Sequence, residues 1–220
     1  EIIKVFQANH IAREVTLQVN DEKEIKPLKE VVESLSSYST AQLSSKEIDY
    51  SRALLQTETK EVGKQKVQIH RLSIPRGETF KVVLSEGTEV FLNSDSRLAY
   101  PTVFKGKERV VSLEGEAYFK VAKDAAHPFI VKSGNLQIRV LGTEFNVRSY
   151  SPTDVRVTLI TGKVAVSDTC GVHSVEMVPG QSVQLSSDGT FAVNEVDIES
   201  FLYWKEGFFY FDDVALVDMM

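Results

Sequence analysis

Cysteine is nearly missing from this chain of 220 residues: Cys170 stands alone. An internal disulfide is therefore impossible, and a disulfide-stapled secreted scaffold is excluded. No apolar run approaches the roughly 18 residues that a membrane-spanning helix needs. A basic-then-apolar leader is also missing, and the chain opens on Glu1 rather than Met, as expected of a piece of a longer protein. Excess positive charge is lacking, since the formal net charge is -6. Without it there is nothing to displace counterions from a phosphate backbone, which argues against a nucleic-acid binder. What is present is ordinary for a globular protein, 42% hydrophobic and 25% charged, so wholesale disorder is excluded. The length suits one large β domain or two small ones with a buried core.

Charge is uneven along the chain. Residues 1–71 carry eleven basic and eleven acidic side chains, and residues 72–188 carry thirteen of each. The last 32 residues hold one lysine against seven acids, so the whole net charge sits there. A solvated segment or a docking surface for a basic partner both fit that balance.

Glycine divides the chain. Residues 1–70 contain only Gly63, and the other eleven glycines follow. From Leu72 onward apolar residues alternate with polar ones. Phe80, Val82 and Leu84 form one such set; Leu136, Ile138 and Val140 another; Val155, Val157 and Leu159 a third. Val175 with Met177, and Val183 with Leu185, keep the same period of two. That period predicts half-buried strands. Between them stand Gly87, Gly115, Gly142, Gly162 and Gly180, spaced by 28, 27, 20 and 18 residues. Glycine accepts positive φ, so each step predicts a hairpin or bend. Corners at similar intervals predict a mainly β fold: a stacked, twisted antiparallel β-sandwich with solenoid-like character.

The two ends differ from this body. Residues 15–28 can be laid over 80–93 as a degenerate first copy of the same hairpin. An amphipathic helix over 28–35 competes, with Leu28, Val31, Val32 and Leu35 at i, i+3, i+4 and i+7; the two can also follow one another. At the other end, residues 197–204 predict a helical turn or connector. Gly207 then precedes the aromatic run Phe208, Phe209, Tyr210 and Phe211, and Asp212 or Asp213 can cap a helix over 214–220. A strand followed by a helix is the expected start of a small α/β subdomain. The aromatic run has two uses, as core or as a sheet edge to which another chain adds a strand.

No catalytic or metal constellation stands out. His10, His70, His127 and His173 have no partner at metal-site spacing, so no metal and no cofactor are expected. Cys170 lies in a polar loop with only His173 near it in sequence, which predicts a passive thiol. Glu114 and Glu116 flank Gly115, and paired carboxylates can cleave glycosides. They are expected instead to orient the corner, with Arg97 and Arg109 as candidate partners. Leu141-Gly142-Thr143 lies between strands and not before a helix, so it is no phosphate loop. The chain is not expected to be an enzyme.

From Ile74 onward, an ordered string of motifs resembles the periplasmic domain of the FecR family of anti-sigma factors, in its Bacteroidetes-type branch. The string runs Ile74-Pro75-Arg76-Gly77-Glu78, then Leu84-Ser85-Glu86-Gly87-Thr88-Glu89-Val90-Phe91-Leu92-Asn93, then Ser96-Arg97-Leu98-Ala99-Tyr100-Pro101. It continues through Phe104, Arg109, Gly115-Glu116-Ala117-Tyr118-Phe119, Pro128-Phe129-Ile130-Val131 and Val140-Leu141-Gly142-Thr143-Glu144-Phe145-Asn146-Val147. Gly162-Lys163-Val164, Pro179-Gly180-Gln181, Trp204 and Gly207 complete it. Two positions depart conservatively from the family pattern: Glu86 stands for aspartate and Phe91 for tryptophan.

The resemblance implies a regulator that crosses the bacterial inner membrane once. Its cytoplasmic domain, absent here, would hold a cognate extracytoplasmic-function sigma factor. Its periplasmic part would receive a signal from the signalling domain of a TonB-dependent outer-membrane transporter. Release or proteolysis of the regulator would then free the sigma factor. On this basis the chain divides into an N-terminal β or mixed segment packing on the main body (1–71), a FecR-like β domain (72–196), and a connector with the truncated start of a signalling subdomain (197–220). Phe208, Phe209, Tyr210 and Phe211 are the expected partner-binding residues. No nucleic acid is expected as a partner, and the membrane only through an absent transmembrane helix. A free-standing carbohydrate-binding β module is the alternative from another class.

Overall fold

Among the described residues seventeen strands, of two to twelve residues, take up the alternating segments. The computed structural model describes residues 14–20, 25–35, 42–51, 67–151, 154–186, 190–199 and 204. In chain order the elements are β1 (Thr16–Val19), β2 (Lys26–Pro27), α1 (Leu28–Leu35), β3 (Gln42–Leu43), β4 (Glu47–Asp49) and β5 (Ile69–Ser73). Next come β6 (Phe80–Val83), β7 (Glu89–Leu92), β8 (Arg97–Pro101), β9 (Arg109–Lys120), β10 (Phe129–Ser133) and β11 (Leu136–Val140). The series closes with β12 (Glu144–Ser151), β13 (Asp154–Thr161), β14 (Val164–Asp168), β15 (Ser174–Met177), β16 (Gln181–Leu185) and β17 (Phe191–Glu195).

The strands form one large mixed sheet folded into two layers. The first layer runs β2-β1-β5-β8-β9-β10-β11-β14-β15. The second runs β3-β4-β6-β7-β9-β12-β13-β16-β17. Apart from the swap of β1 and β2, each layer adds its strands in chain order. Only β9 belongs to both. Residues 109–114 pair with β8 and β10 in the first layer, and residues 115–120 pair with β7 and β12 in the second.

Inward side chains of both layers share one core. Phe119 of the second layer meets Phe129 of the first at 6.2 Å between ring centroids, and stacks on Phe145 at 5.1 Å. Leu72, Leu98, Val131, Ile138 and Val166 of the first layer, with Val82, Val90, Val147, Val157 and Val183 of the second, are fully buried. Burying such β-branched and leucine side chains is the main stabilising term, about 1.5–3 kcal/mol each.

The glycine steps do different jobs from one another. Gly87 lies in the hairpin between β6 and β7. Gly115 joins no pair of strands; it sits inside β9, where the strand bends from one layer into the other. Gly142, Gly162 and Gly180 sit where the chain changes layer, after β11, β13 and β15. A strand that switches sheets needs such a bend. The mainly β, layered fold is as expected and most ladders are antiparallel, while two, β4 with β6 and β9 with β10, are parallel and make the sheet mixed. The reason is the layer change: β9 ends in the second layer, so the chain must return through 121–128 before β10 starts beside the beginning of β9.

Near the N-terminus the hairpin and the helix occur in succession. β1 pairs antiparallel with β2, Thr16 opposite Pro27, and α1 starts at the next residue. Leu28 and Val31 are buried. β1 continues the first layer on β5, and β4 continues the second on β6. Among the described residues no helix is long and apolar enough to cross a membrane.

Candidate functional surface

The two glutamates at the β9 bend are not brought together as a catalytic pair. Positive φ at Gly115 turns the strand between them. Glu114 is exposed and forms an ion pair with Arg97 at 3.2 Å. Glu116 is buried, and its carboxylate accepts hydrogen bonds from Asn93 Nδ2 at 3.0 Å and Asn146 Nδ2 at 2.9 Å. Its backbone N–H donates to Ser96 Oγ at 2.9 Å. One carboxylate thus faces water and the other fastens three strands. The expected link from these glutamates to Arg97 is present, but Arg109 acts elsewhere.

Among the described residues Arg109 is the one buried arginine or lysine, only 3% exposed. Its Nε donates to the His127 carbonyl at 2.8 Å and its Nη1 to the Ala122 carbonyl at 2.9 Å. Nη1 also pairs with Glu86 Oε1 at 3.4 Å, and the guanidinium lies over the Phe129 ring. Arginine suits this post because its fork reaches several acceptors at once. It holds the 121–128 return loop onto the β6–β7 hairpin. Glu86, the position that departs from the family aspartate, is therefore the residue that reaches this arginine.

His10 lies outside the described residues, and the other three histidines take structural posts. His70 of β5 is fully buried, with its Nδ1 hydrogen-bonded to the Tyr50 hydroxyl at 2.8 Å. The Tyr100 hydroxyl donates to that of Tyr50 at 3.1 Å. Burial lowers the His70 pKa to about 4 and raises both tyrosines. His127 bonds Asp124 at 2.8 Å and His173 bonds Asp168 at 2.9 Å, both at the surface. Each histidine bond holds its aspartate below the usual carboxylate range. Among the described residues no three His, Cys, Asp or Glu side chains gather into a metal site. Cys170 is a free, exposed thiol.

Phe208, Phe209, Tyr210 and Phe211 lie outside the described residues, as do Gly207 and the helix expected over 214–220. Among the described residues, the late end of each layer is a strand edge. β15 closes the first layer and β17 the second. Apolar side chains are exposed there: Val172 (73%), Val178 and Val193. Residues 191–195 contain no lysine or proline, the usual guards of a free edge, so β17 can accept a further strand.

Trp204 stands apart from that edge. It lines a cavity of about 280 Å³ with Lys46, Glu47, Phe80, Lys81, Phe91 and Leu92, near the opposite end of the second layer. Sequence reading missed this seat and the Tyr50–His70–Tyr100 cluster. Phe91, where the family has tryptophan, was the nearest available sign of the seat. Nothing local announced the cluster, whose members lie up to 50 residues apart.

Comparison with known proteins follows the same segment. The family model described as FecR protein matches residues 70–165. Two crystal structures of a Parabacteroides distasonis protein assigned as an anti-sigma factor, at 2.50 and 1.65 Å resolution, share the fold. The first superposes with a TM-score of 0.62 and 31% identity, over 69% of this chain and 71% of that one. The second gives 0.61 and 31%, over 68% and 70%. No curated protein matches the chain.

Proposed function

This chain belongs to the FecR family of anti-sigma factors, and from that membership we propose that it is the periplasmic signal-relay region of a single-pass inner-membrane regulator. The family is regulatory and not catalytic, and its working partner is a sigma factor. In this proposal the sigma factor is of the extracytoplasmic-function class and is held by a cytoplasmic domain beyond this chain. The incoming signal is carried by the signalling domain of a TonB-dependent outer-membrane transporter. That domain docks on the segment after Trp204, with Phe208, Phe209, Tyr210 and Phe211 adding a strand across the contact. Release or proteolysis of the regulator then frees the sigma factor.

The observation that carries this proposal is the 31% identity to a solved anti-sigma factor over most of both chains. Its architecture supports it too, because a layered β body with one continuous core moves as a unit when its end is engaged. A sugar-binding module is less well supported. Among the described residues Tyr150 is the single large aromatic exposed at the surface, too little for a stacking platform.

The test is titration calorimetry of this chain against purified signalling domains of TonB-dependent transporters from the same organism, paired with a sigma-dependent reporter in cells. Saturable binding, together with loss of induction when residues 205–220 are deleted from the regulator, is the expected result. A reporter that responds normally after that deletion would remove the segment from the relay.

A further inference from the structure

Arg76, Arg97, Arg109 and Arg139 each form an ion pair with a carboxylate. Among the described residues Arg148 and Arg156 form none. These two are also neighbours. β12 and β13 set them directly opposite one another, beside the buried pair Val147 and Val157. Side chains alternate across a strand, so with the valines in the core both guanidinium groups stand on the outer face of the second layer. Both residues are exposed. Like charges placed directly opposite weaken a sheet.

The carboxylates nearest in register are held by other groups. Glu116 of β9 lies opposite Arg148, but its two oxygens accept from Asn93 and Asn146. Asp154, two residues before Arg156, accepts from Gln184 Nε2 at 2.9 Å. Neutral groups position the two cations instead. Arg148 lies over the Tyr150 ring at 5.7 Å, and the Tyr150 hydroxyl is anchored on the Ser94 carbonyl. Arg156 Nη2 donates to Gln184 Oε1 at 3.4 Å. Beside Arg156 an open cleft of about 170 Å³ is lined by Ser182, Gln184, Asn194 and Val196. Ser182 Oγ accepts from Thr158 Oγ1 at 3.1 Å, which leaves its own O–H to donate.

We propose that the Arg148–Arg156 pair and this cleft dock an acidic segment of a protein partner, with one aspartate or glutamate carboxylate bridging the two guanidinium groups. A carboxylate between two arginine forks receives charge-assisted hydrogen bonds from both sides and removes the repulsion between the strands. The row from Arg148 through Arg156 to Gln184 spans two strand spacings, roughly 10 Å. That is longer than a single phosphate reaches and suits an extended peptide, whose next side chain enters the cleft. The surface lies beyond the relay reading and is measured on this chain alone, so either can fail without the other.

The test is an NMR titration of the chain with hexaglutamate peptide, reading the Nε–H signals of its arginines. The Arg148 and Arg156 signals should shift together and saturate, and added salt should weaken the binding. Arg148→Gln and Arg156→Gln should each weaken it about tenfold, the loss of a charge-assisted hydrogen bond. Each variant removes one of two facing exposed charges, so its melting temperature should be unchanged or slightly raised. A purely structural role for the pair would lower it. Arg139→Gln, at an arginine already paired with Glu108, should leave peptide binding as it was. Unchanged affinity in both Arg148→Gln and Arg156→Gln, or equal shifts at every surface arginine, would overturn the site. Inorganic phosphate that matches the affinity of the peptide would overturn the assignment to a protein segment.

Discussion

Gly115 is pressed against Ser96: a Cβ on the glycine would lie 2.7 Å from the serine Cα and 2.8 Å from its Cβ. The contact sits where β9 leaves one layer for the other, and the glycine φ is +93°. Gly115→Ala therefore meets both a backbone that alanine resists and a wall of atoms that cannot retreat. We expect it to destabilise the chain by about 3 kcal/mol or more in urea unfolding. Gly87 has nearly the same φ, +89°, but nothing within 4 Å of the added Cβ. Gly87→Ala should cost only the conformational part, about 1–2 kcal/mol. Equal losses at the two sites would mean that the close approach to Ser96 carries no weight.

Arg109→Met should be among the most damaging single changes. It strips the Ala122 and His127 carbonyls of their donor and leaves Glu86 without its cation. Removing one partner of a buried pair typically costs about 3–5 kcal/mol. Arg109→Lys should rescue little, since one ammonium cannot span both carbonyls and the carboxylate. Adding Glu86→Leu to Arg109→Met should recover part of the loss, measured in a double-mutant cycle.

Acid should weaken the fold in a window set by His70. Its folded-state pKa is about 4, against 6.5 when exposed. Between those values the unfolded chain binds a proton that the folded chain refuses. The stabilising effect is whole above pH 6.5, declines as the pH falls toward 4, and levels off below. The total is at most about 3 kcal/mol. Urea midpoints across pH 7 to 3.5 should show this slope, and His70→Phe should flatten it. An NMR signal from the His70 ring that titrates near 6.5 would contradict the assignment.

Substituting Phe209 and Phe211 with lysine should weaken binding of the transporter signalling domain at least tenfold, about 1.4 kcal/mol. The melting temperature of the β body should stay the same. Unchanged affinity would free the aromatic run from the docking role.

Sequence and structure agree most closely where one face of a strand is buried. The alternation through Phe80, Val82 and Leu84, or Val155, Val157 and Leu159, is a direct record of which side chains point inward. Corners were legible as glycines but not as kinds of corner. Glu114-Gly115-Glu116 reads the same whether the chain reverses or only bends. What decides is the far-off Ser96 that packs on it. The parallel β9–β10 ladder was illegible for a similar reason, because a strand does not encode its partner's direction in its own residues. Arg109 gave no hint of its four acceptors, three of which are backbone carbonyls that every sequence has. The Trp204 seat was hidden because its walls come from segments more than a hundred residues away.

The order in which each layer collects its strands has a consequence for how such a protein is made. From β5 onward nearly every new strand lies down beside one already in place, in one layer or the other. A chain delivered N-terminus first can thus be built rung by rung as it emerges, with short loops to close at most steps and few partners to wait for. The same habit makes length adjustable. A strand added to the edge at β15 or β17 alters only the growing end, so this architecture can be extended over evolutionary time without reopening the core laid down before it.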